Sequence, residues 1–299
     1  MAYAARRKEG GMSLFRRRLM MRRGQSIDYS LYAIHVKKNP EVMAVVYANG
    51  WSASPEFMTY EEAASVTNAQ LELAFTRNGQ IKHFEEFKYF TKVTIIGRIS
   101  ATFSGFYGCS NLSVLELPPS LKRLSYNCLK NVGIISIDIP DSVNEANAGR
   151  SNWIALSGAF YGCSKLEAVR YSSNLLYVTS TMFTNCVKLR EITNMDNVTR
   201  IGGWAFKGCR SLTEFTIPAG VTGIGVAVGA ERTYTGEAFS GCRGLVNIIC
   251  LPETPPTLDG TDNFYDTTCT ISVPAESVES YKSAPGWVDI ADRIIAINE

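Results

Sequence analysis

Cysteine is the residue type in this sequence with the widest chemical scope, because a thiol can attack a substrate, bind zinc or form a disulfide. The chain has eight cysteines but only two histidines, His35 and His83. Neither histidine lies near a pair of cysteines with the spacing of a zinc site. Disulfide frameworks are typical of small secreted chains, whereas this chain has 299 residues. The sequence therefore predicts small buried thiols and no metal site.

The motifs of the common enzyme classes are absent from the sequence. There is no G-x-S-x-G nucleophile elbow, no H-E-x-x-H pair and no P-loop. The glycines of GIGVAVG, which are Gly223, Gly225 and Gly229, lack the strand-turn-helix setting of a dinucleotide site. Acids are plentiful, but nothing in the sequence brings two of them together in a cleft. We therefore expect a protein that is not an enzyme and uses no cofactor, unless an unrecognised carboxylate site acts on glycans.

Five of the cysteines lie inside one repeated phrase. The copies read FYGCSNL, FYGCSKL, FTNCVKL, FKGCRSL and FSGCRGL, and a sixth copy, CLKNVGI, has Asn131 at the cysteine position. A period of 22 to 23 residues with two insertions is typical of leucine-rich repeats. The markers, separated by 22, 32, 23, 23 and 33 residues, are Cys109, Asn131, Cys163, Cys186, Cys209 and Cys242.

Each phrase has the composition of a tight turn followed by a short strand. The residue before the marker is Gly or Asn in every copy except the one with Lys130, and both types tolerate positive φ. The positions six and eight residues after the marker are mostly apolar, and residues two apart share one face of a strand. Pro118, Pro140 and Pro218 end the strand, because proline cannot donate to a ladder of hydrogen bonds.

A single coil of this kind cannot bury its own apolar edge, so several coils must stack. We therefore predict an α/β repeat fold: a leucine-rich-repeat solenoid with short parallel strands, about six to seven coils, a small and mainly helical N-terminal region and a C-terminal cap. The predicted units are a basic N-terminal tail at 1–25, an N-terminal region capping the solenoid at 26–95, the solenoid at 96–258, and a degenerate last coil with the cap at 259–299.

The repeated phrases resemble the BspA-type leucine-rich repeats that are common in gut Bacteroidetes and their phages. The pattern of those repeats is I-G-x-x-A-F-x-G-C-x-x-L-x-x-I-x-I-P, and the segment 201–218, IGGWAFKGCRSLTEFTIP, is similar to it. The resemblance covers about residues 80–299, because the stretch around Trp287 resembles the terminal cap of that family. It implies adhesion or ligand recognition, not a reaction.

The segment before the repeats is similar to a lead-in in which a calcium loop resembling an EF-hand precedes an E-A-A-x-V-T helix. The helix residues are kept between Glu61 and Thr67. The loop reads YANGWSASPEFM and offers no run of Asp or Asn at alternate positions. Calcium needs several carboxylate oxygens, so the sequence predicts no calcium site.

The N-terminus is strongly basic, with eight basic residues and one acid among residues 1–23, although the whole chain has a net charge of +2. No apolar segment of a signal peptide follows, so the sequence does not predict classical export. Residues 12–23 could form a basic amphipathic helix that contacts a membrane surface, nucleic acid or a partner subunit such as another virion protein, or a short helix packed on its own domain. The alternative for the whole basic segment is a solvated tail. The arginines of residues 12–23 are Arg16, Arg17, Arg18, Arg22 and Arg23.

Two surfaces are candidate ligand sites. The first is the outward side of the strands, five and seven residues after each marker, which is polar and mildly acidic; the alternative is a merely solvated sheet face. The second is the pair of insertions at 144–157 and 222–237, because loops on a rigid scaffold often carry recognition. The alternative there is that Trp153 and Tyr234 cover exposed core. The candidate residues are Glu116, Asp138, Arg170, Glu191 and Glu214 on the strands, and Arg150, Asn152, Trp153, Arg232 and Tyr234 in the insertions.

These observations favour a non-catalytic protein that recognises a protein or glycan on a host surface. One version is a phage virion or tail-associated component, which would fit a basic tail suited to docking. A bacterial surface adhesin is the rival within the same class. A structural subunit that contacts only other protein chains is the alternative from a different class.

Overall fold

The computed structural model describes residues 31–97, 104–144, 156–228 and 234–297. The strands are, in chain order, β1 (Ile34–His35), β2 (Phe57–Met58), β3 (His83–Phe84), β4 (Ile95–Ile96), β5 (Val114–Leu115), β6 (Arg123–Leu124), β7 (Ser136–Asp138), β8 (Ala168–Arg170), β9 (Tyr177–Val178), β10 (Glu191–Thr193), β11 (Arg200–Gly202), β12 (Glu214–Ile217), β13 (Gly223–Val226), β14 (Asn247–Cys250), β15 (Thr257–Leu258), β16 (Thr270–Val273) and β17 (Ile294–Ala296). The α-helices are α1 (Pro40–Ala48), α2 (Tyr60–Ser65), α3 (Asn68–Leu71) and α4 (Val278–Ser283), and short 3-10 helices lie at Glu85–Tyr89, Ala275–Ser277 and Val288–Arg293.

The strands of the repeats form two rows of short parallel sheets, as expected of a solenoid. The front ladder follows the repeated phrases and consists of the sheets β3-β5, β7-β8-β10 and β12-β14-β16-β17. The back ladder consists of β4-β6 and β9-β11-β13-β15. Sequence reasoning predicted the front ladder, and the structure confirms the leucine-rich-repeat fold. Sequence reasoning did not predict the back ladder, in which the GIGV segment forms strand β13.

A left-handed turn opens each coil, as the Gly and Asn positions predicted. Gly162 has φ of 70°, and a Cβ at this position would lie 2.2 Å from Oδ1 of Asn131 in the preceding coil, so only glycine fits without a shift. From Arg77 to Gly241, the amide of each turn residue donates to a carbonyl of the next coil, at 2.8 Å from Gly162 to Thr184. The positive-φ residues at this point of successive coils are Arg77, Gly108, Asn131, Gly162, Asn185, Gly208, Gly241 and Asp266.

The second phrase is offset by one residue from the alignment that sequence reasoning gave it. Asn131 was placed at the cysteine position, but it has φ of 58° and its amide donates to the carbonyl of Tyr161, so it is the turn residue. Leu129, and not Cys128, then occupies the position of the phenylalanines. The error arose because Asn can replace both the turn glycine and the polar marker of such repeats.

The phenylalanines of the phrases stack in a continuous column inside the solenoid. Phe183 lies 5.4 Å from Phe160 and 5.5 Å from Phe206, measured between ring centroids, with nearly parallel planes. Offset stacking of this kind contributes roughly 0.5–1.5 kcal/mol per pair beyond the burial of apolar area. The column continues through Phe239 to Phe264. Each ring therefore covers the apolar flank of its neighbour.

The marker cysteines form a second column beside the phenylalanines, which confirms the prediction of buried structural thiols. All eight cysteines are buried and free. The thiol of Cys186 donates to the carbonyl of Phe160 at 3.1 Å, and Cys209 donates to the carbonyl of Phe183 at 3.2 Å. Cysteine is suited to this position because it is small and its S–H can satisfy a buried carbonyl.

The two ends of the solenoid are covered by other parts of the chain. Ile81, Phe84 and Phe87 are fully buried in a first coil that lies within the segment assigned to the N-terminal region. The C-terminal cap closes the last coil, where Trp287 lies 5.8 Å from Phe264 and its indole N–H donates to the carbonyl of Pro256 at 2.7 Å. These covers bury the apolar flanks of the first and last coils.

In the part of the chain that the structure describes, no helix has both the length and the apolar character needed to cross a membrane.

The phenylalanine column generates a stability prediction. Phe183→Ala should lower the free energy of unfolding by about 3–5 kcal/mol, because it leaves a cavity between two stacked rings. Thr193→Ala, on an exposed residue of the same coil, is the control and should change it by about 0.5 kcal/mol or less. Urea unfolding followed by circular dichroism measures both, and equal effects of the two changes would contradict the stacking argument.

The cysteine column generates a reactivity prediction. Burial raises the pKa of the Cys109, Cys163, Cys242 and Cys250 thiols to about 12, so they stay protonated and unreactive at pH 8. A thiol reagent such as DTNB should label the native protein poorly at pH 8 and all eight cysteines in guanidinium. Rapid labelling of several thiols in the folded protein would show that the column is open to solvent.

Candidate recognition site on the front ladder

The charged residues predicted on the outward side of the strands divide into paired and unpaired groups. Glu116 accepts a hydrogen bond from Lys88 of the preceding coil at 2.7 Å. The pair is exposed on both sides, so it contributes at most about 1 kcal/mol. It also neutralises the front ladder near its N-terminal end. Glu116 is therefore committed to a contact within the solenoid.

Asp138 and Arg170 are likewise committed to each other and to Asp141. The Arg170 guanidinium lies 3.1 Å from Asp138 and 2.8 Å from Asp141, measured from nitrogen to oxygen. Hydrogen bonds from Arg170, followed by that from the Ser173 amide, lower the pKa of Asp141 to about 2. Hydrogen bonds to the two acids raise the pKa of Arg170. Three charges thus form one local network on the surface.

Glu191 and Glu214 differ from the other candidates because neither has an ion pair or a side-chain hydrogen bond within the described residues. Both are exposed and lie at the starts of β10 and β12. Arg190 and Asp196 lie nearby at the same surface. The net charge of these four side chains is negative, since three are acids. The centre of the front ladder is therefore its free acidic region.

The front ladder is interrupted twice, between β5 and β7 and between these two acids. At the first interruption the Ile135 amide still donates to the carbonyl of Ser113 at 3.1 Å, so those coils stay joined there. β10 pairs with β8 on one side, and β12 pairs with β14 on the other, but β10 and β12 belong to different sheets although their coils are adjacent. At the back, the same coils stay joined through the parallel pairing of β9, β11 and β13. The coils therefore part only at the front, and we call the wedge between β10 and β12 the front cleft.

Asn194 follows β10 at the edge of the interruption and has an unusual backbone conformation. Other coils place an apolar residue, such as Tyr171 or Ile217, at this position of the strand. Asn194 instead has φ of 65°, and its side-chain amide donates to the carbonyl of Tyr171 at 2.7 Å. Asn194 is equivalent to Ile217, the last residue of β12, but β10 already ends at Thr193. Met195, the residue after Asn194, is buried in the core.

The front cleft has an apolar floor and a polar rim. Its volume is about 390 Å³, within the range typical of ligand sites in proteins. Ile192 is only partly buried, whereas Phe215, at the equivalent position of the next coil, is buried to 5% exposure. The complete lining is Arg190, Glu191, Ile192, Asn194, Met195, Asp196, Leu212, Glu214, Phe215, Thr216, Pro218, Ala219 and Leu251. The arrangement suits a ligand with both apolar and basic groups.

The described residues include only part of each insertion. Arg150, Asn152, Trp153 and Arg232 lie outside the described residues, as do the basic N-terminal segment and its arginines. Tyr234 is described, and its ring lies 4.9 Å from that of Trp204. The ammonium group of Lys207 lies 3.7 Å from the centroid of Trp204 and pairs with Glu237. Tyr234 therefore packs against Trp204 of the solenoid, and it is not among the residues that line the front cleft.

Sequence reasoning named Glu191 and Glu214 but missed the cleft between them. The pattern places Ile192 and Phe215 on the core face, and it places Asn194 in the column eight residues after the marker, which is otherwise mostly apolar. That exception was the available signal, because a polar residue at a strand position often marks a change in the backbone. The partner Asp141 was missed because it follows its strand and proline, outside the repeated phrase.

No group of three or more potential metal ligands occurs within the described ranges. The front cleft holds no cysteine or histidine among its lining residues. What its side chains and strand edges can do chemically is to accept and donate hydrogen bonds, pair with cations and cover apolar groups.

The family model described as the BspA type leucine rich repeat region matches residues 74–149 and 155–231 in six copies, which is slightly more than half of the chain. The protein therefore belongs to this leucine-rich-repeat family. The match begins at residue 74, so it includes the first coil with the Arg77 turn.

Solved leucine-rich-repeat structures are similar to the chain over part of its length. The leucine rich repeat protein of T. pallidum has 25% identity and a TM-score of 0.36, covering 47% of this chain and 58% of that one. A leucine rich cell surface protein from Faecalibacterium prausnitzii has 22% identity and a TM-score of 0.37, covering 53% and 46%. A leucine-rich repeat protein from Bacteroides ovatus has 20% identity and a TM-score of 0.34, covering 73% and 64%. This chain thus spans less than two thirds of each, and no curated protein matches it.

The Asp141 network generates a pH prediction. The pKa of Asp141 is lowered to about 2 in the folded protein from roughly 3.9 in an unfolded chain, so its stabilising effect is complete above about pH 4 and is lost as the pH falls towards 2. Asp141→Asn should therefore lower the free energy of unfolding at pH 7, by no more than about 1 kcal/mol because the pair is exposed.

The difference between Asp141→Asn and the wild type should shrink when urea unfolding is measured at pH 7, 4 and 2.5. Asp196→Asn, which removes an acid without an ion pair in the described residues, is the matched control. A difference that stays constant from pH 7 to pH 2.5 would show that Asp141 acts by packing or solvation and not by its charge.

Proposed function

We propose that this protein is a non-catalytic recognition protein that binds a partner protein across its front ladder, with the front cleft as the central contact. The observation that carries the proposal is the pair of unpaired acids, Glu191 and Glu214, on either side of an apolar cleft. Every other charged candidate on the described strands is engaged within the solenoid. The partner surface that fits is apolar at its centre and basic around it.

The energetic contributions of the two features differ. Apolar groups that enter the cleft bury area at roughly 25 cal/mol per Å², and this supplies the affinity. Each exposed carboxylate contributes only about 0.2–1 kcal/mol, but a field of one sign speeds association and rejects acidic partners. The acids therefore determine the specificity and the salt dependence of binding more than its affinity.

A surface location is part of the proposal, because an extended ladder of this kind serves contacts with large partners. The carrier would be a bacterial cell surface or, in the finer version, a phage virion or its tail, with the basic N-terminal arginines contacting an acidic neighbour. Antibody detection on intact cells and in purified particles distinguishes the two carriers. Binding to a glycan in place of a protein would be seen on a glycan array.

Site-specific photo-crosslinking tests the proposed function. Thr216 lies on the front ladder beside the cleft and Thr222 precedes strand β13 of the back ladder, and both are exposed threonines. With p-benzoylphenylalanine at position 216, the full-length protein should crosslink to a partner on target cells or particles. The same group at position 222 is the matched control and should give no such product.

The crosslink from position 216 should depend on charge. Glu191→Gln combined with Glu214→Gln should weaken binding by about 2- to 30-fold, since two exposed ion pairs are lost, and added salt should have a similar effect on the wild type. A product that consists only of this chain linked to itself would favour the assembly subunit instead. Equal crosslinking from 216 and 222 would overturn the proposal.

A further inference from the structure

The front cleft exposes backbone as well as side chains, and the direction of these backbone groups follows from the pairing of its two strands. On β10, the Glu191 amide donates to Glu167 at 3.2 Å and the Thr193 carbonyl accepts from Tyr171 at 2.9 Å. Residues 191 and 193 thus direct their backbone groups towards β8. Because these groups alternate in direction along a strand, the N–H and C=O of Ile192 are directed into the cleft.

The same reasoning applies to the opposite wall. On β12, the Thr213 carbonyl accepts from Val246 at 2.8 Å, and the Ile217 carbonyl accepts from Leu251 at 3.0 Å. Residues 213, 215 and 217 therefore direct their backbone groups towards β14. The N–H and C=O of Glu214 and Thr216 are directed into the cleft. Both walls are strand edges that would pair with each other in an uninterrupted ladder.

Strand edges of this kind are templates for an additional strand. β10 has three residues and β12 has four, so at about 3.3 Å per residue the walls match an extended segment of roughly three to four residues. The wedge is held to one coil spacing at the back by β9, β11 and β13. A guest segment therefore lies in the outer, open part of the cleft.

The side chains of the walls define the sequence of such a segment. Side chains of an added strand would alternate between the two faces of the ladder. On the inner face they would contact Ile192 and Phe215, and on the outer face they would lie beside Glu191 and Glu214. In the bound segment, an apolar residue would therefore alternate with a basic one.

We infer that the front cleft binds an extended segment of a partner protein by strand addition, and that this segment alternates apolar and basic residues. The inference rests on the proposed function and specifies its mode of binding. It differs from a simple electrostatic contact because main-chain hydrogen bonds contribute to affinity. The occupant is a segment of another polypeptide whose positive charge complements the acids of the rim.

A defined peptide tests the inference with the full chain. The probe is the acetylated and amidated hexapeptide Val-Lys-Val-Lys-Val-Lys, carrying a fluorophore at one end, and its binding is measured by fluorescence anisotropy. The control is the same peptide with Glu in place of Lys, which should not bind. Failure of the lysine peptide to bind at millimolar concentration would overturn the inference.

Single N-methylation of each peptide amide separates strand addition from other modes. Methylation of amides that donate to the cleft should weaken binding at least about tenfold, whereas methylation of the intervening amides should have little effect, which gives a period of two along the peptide. In the protein, hydrogen exchange at the amides of Ile192, Glu214 and Thr216 should slow on binding. The amide of Val246, which already donates to Thr213 and does not line the cleft, is the control.

The outcomes distinguish this inference from the proposed function. If Glu191→Gln with Glu214→Gln weakens binding but N-methylation has a uniform effect, the cleft binds a basic ligand without strand addition, and only the inference fails. If the peptide does not bind and position 216 gives no crosslink to a partner, both fail. Self-association of the chain that is blocked by the lysine peptide would identify a second copy as the occupant and overturn the assignment to a different protein.

Discussion

Each coil of this chain has two apolar flanks, and only a neighbouring coil can cover them. The phenylalanine column from Phe160 to Phe264 and the cysteine column beside it satisfy this constraint along the length of the repeats. Where the repeats end, aromatic residues of the chain's own termini replace the missing neighbour, as Trp287 does for Phe264. The short strands depend on the stacking, because a strand of two to four residues would not be stable alone.

The stacking also determines where the solenoid can open. The turn amides, the aromatic column and the back ladder each fix the distance between neighbouring coils, so none of them can change without loss of core contacts. The front ladder is less constrained, because its outward side chains contact solvent. There β10 and β12 lie in separate sheets, beside the left-handed residue Asn194, while the back ladder of the same coils remains joined. The front cleft is thus compatible with a fully packed interior.

Sequence reasoning predicted the features that repeat and missed those that occur once. The coils and the buried thiols could be predicted because the same phrase recurs, and stacking is the physical consequence of that recurrence. The back ladder was missed because its Ile-Gly pair recurs in only some coils, at 96–97, 201–202 and 224–225. The offset at Asn131 arises from two roles that one residue type can fill. Ion pairs such as Arg170 with Asp141 join residues 29 positions apart, and their geometry depends on the exact rotation between coils. The cleft arises from a missing interaction, which residue types alone do not reveal.

Because the thiols are buried and not crosslinked, the fold does not depend on the redox potential of its surroundings. Every cysteine is reduced and buried, and the marker thiols donate to backbone carbonyls of the core, so assembly of the coils requires neither an oxidant nor the shuffling of incorrect crosslinks. The same sequence can therefore reach the same structure in the reducing interior of a cell and in an oxidising exterior. Such a chain could fold on either side of a membrane.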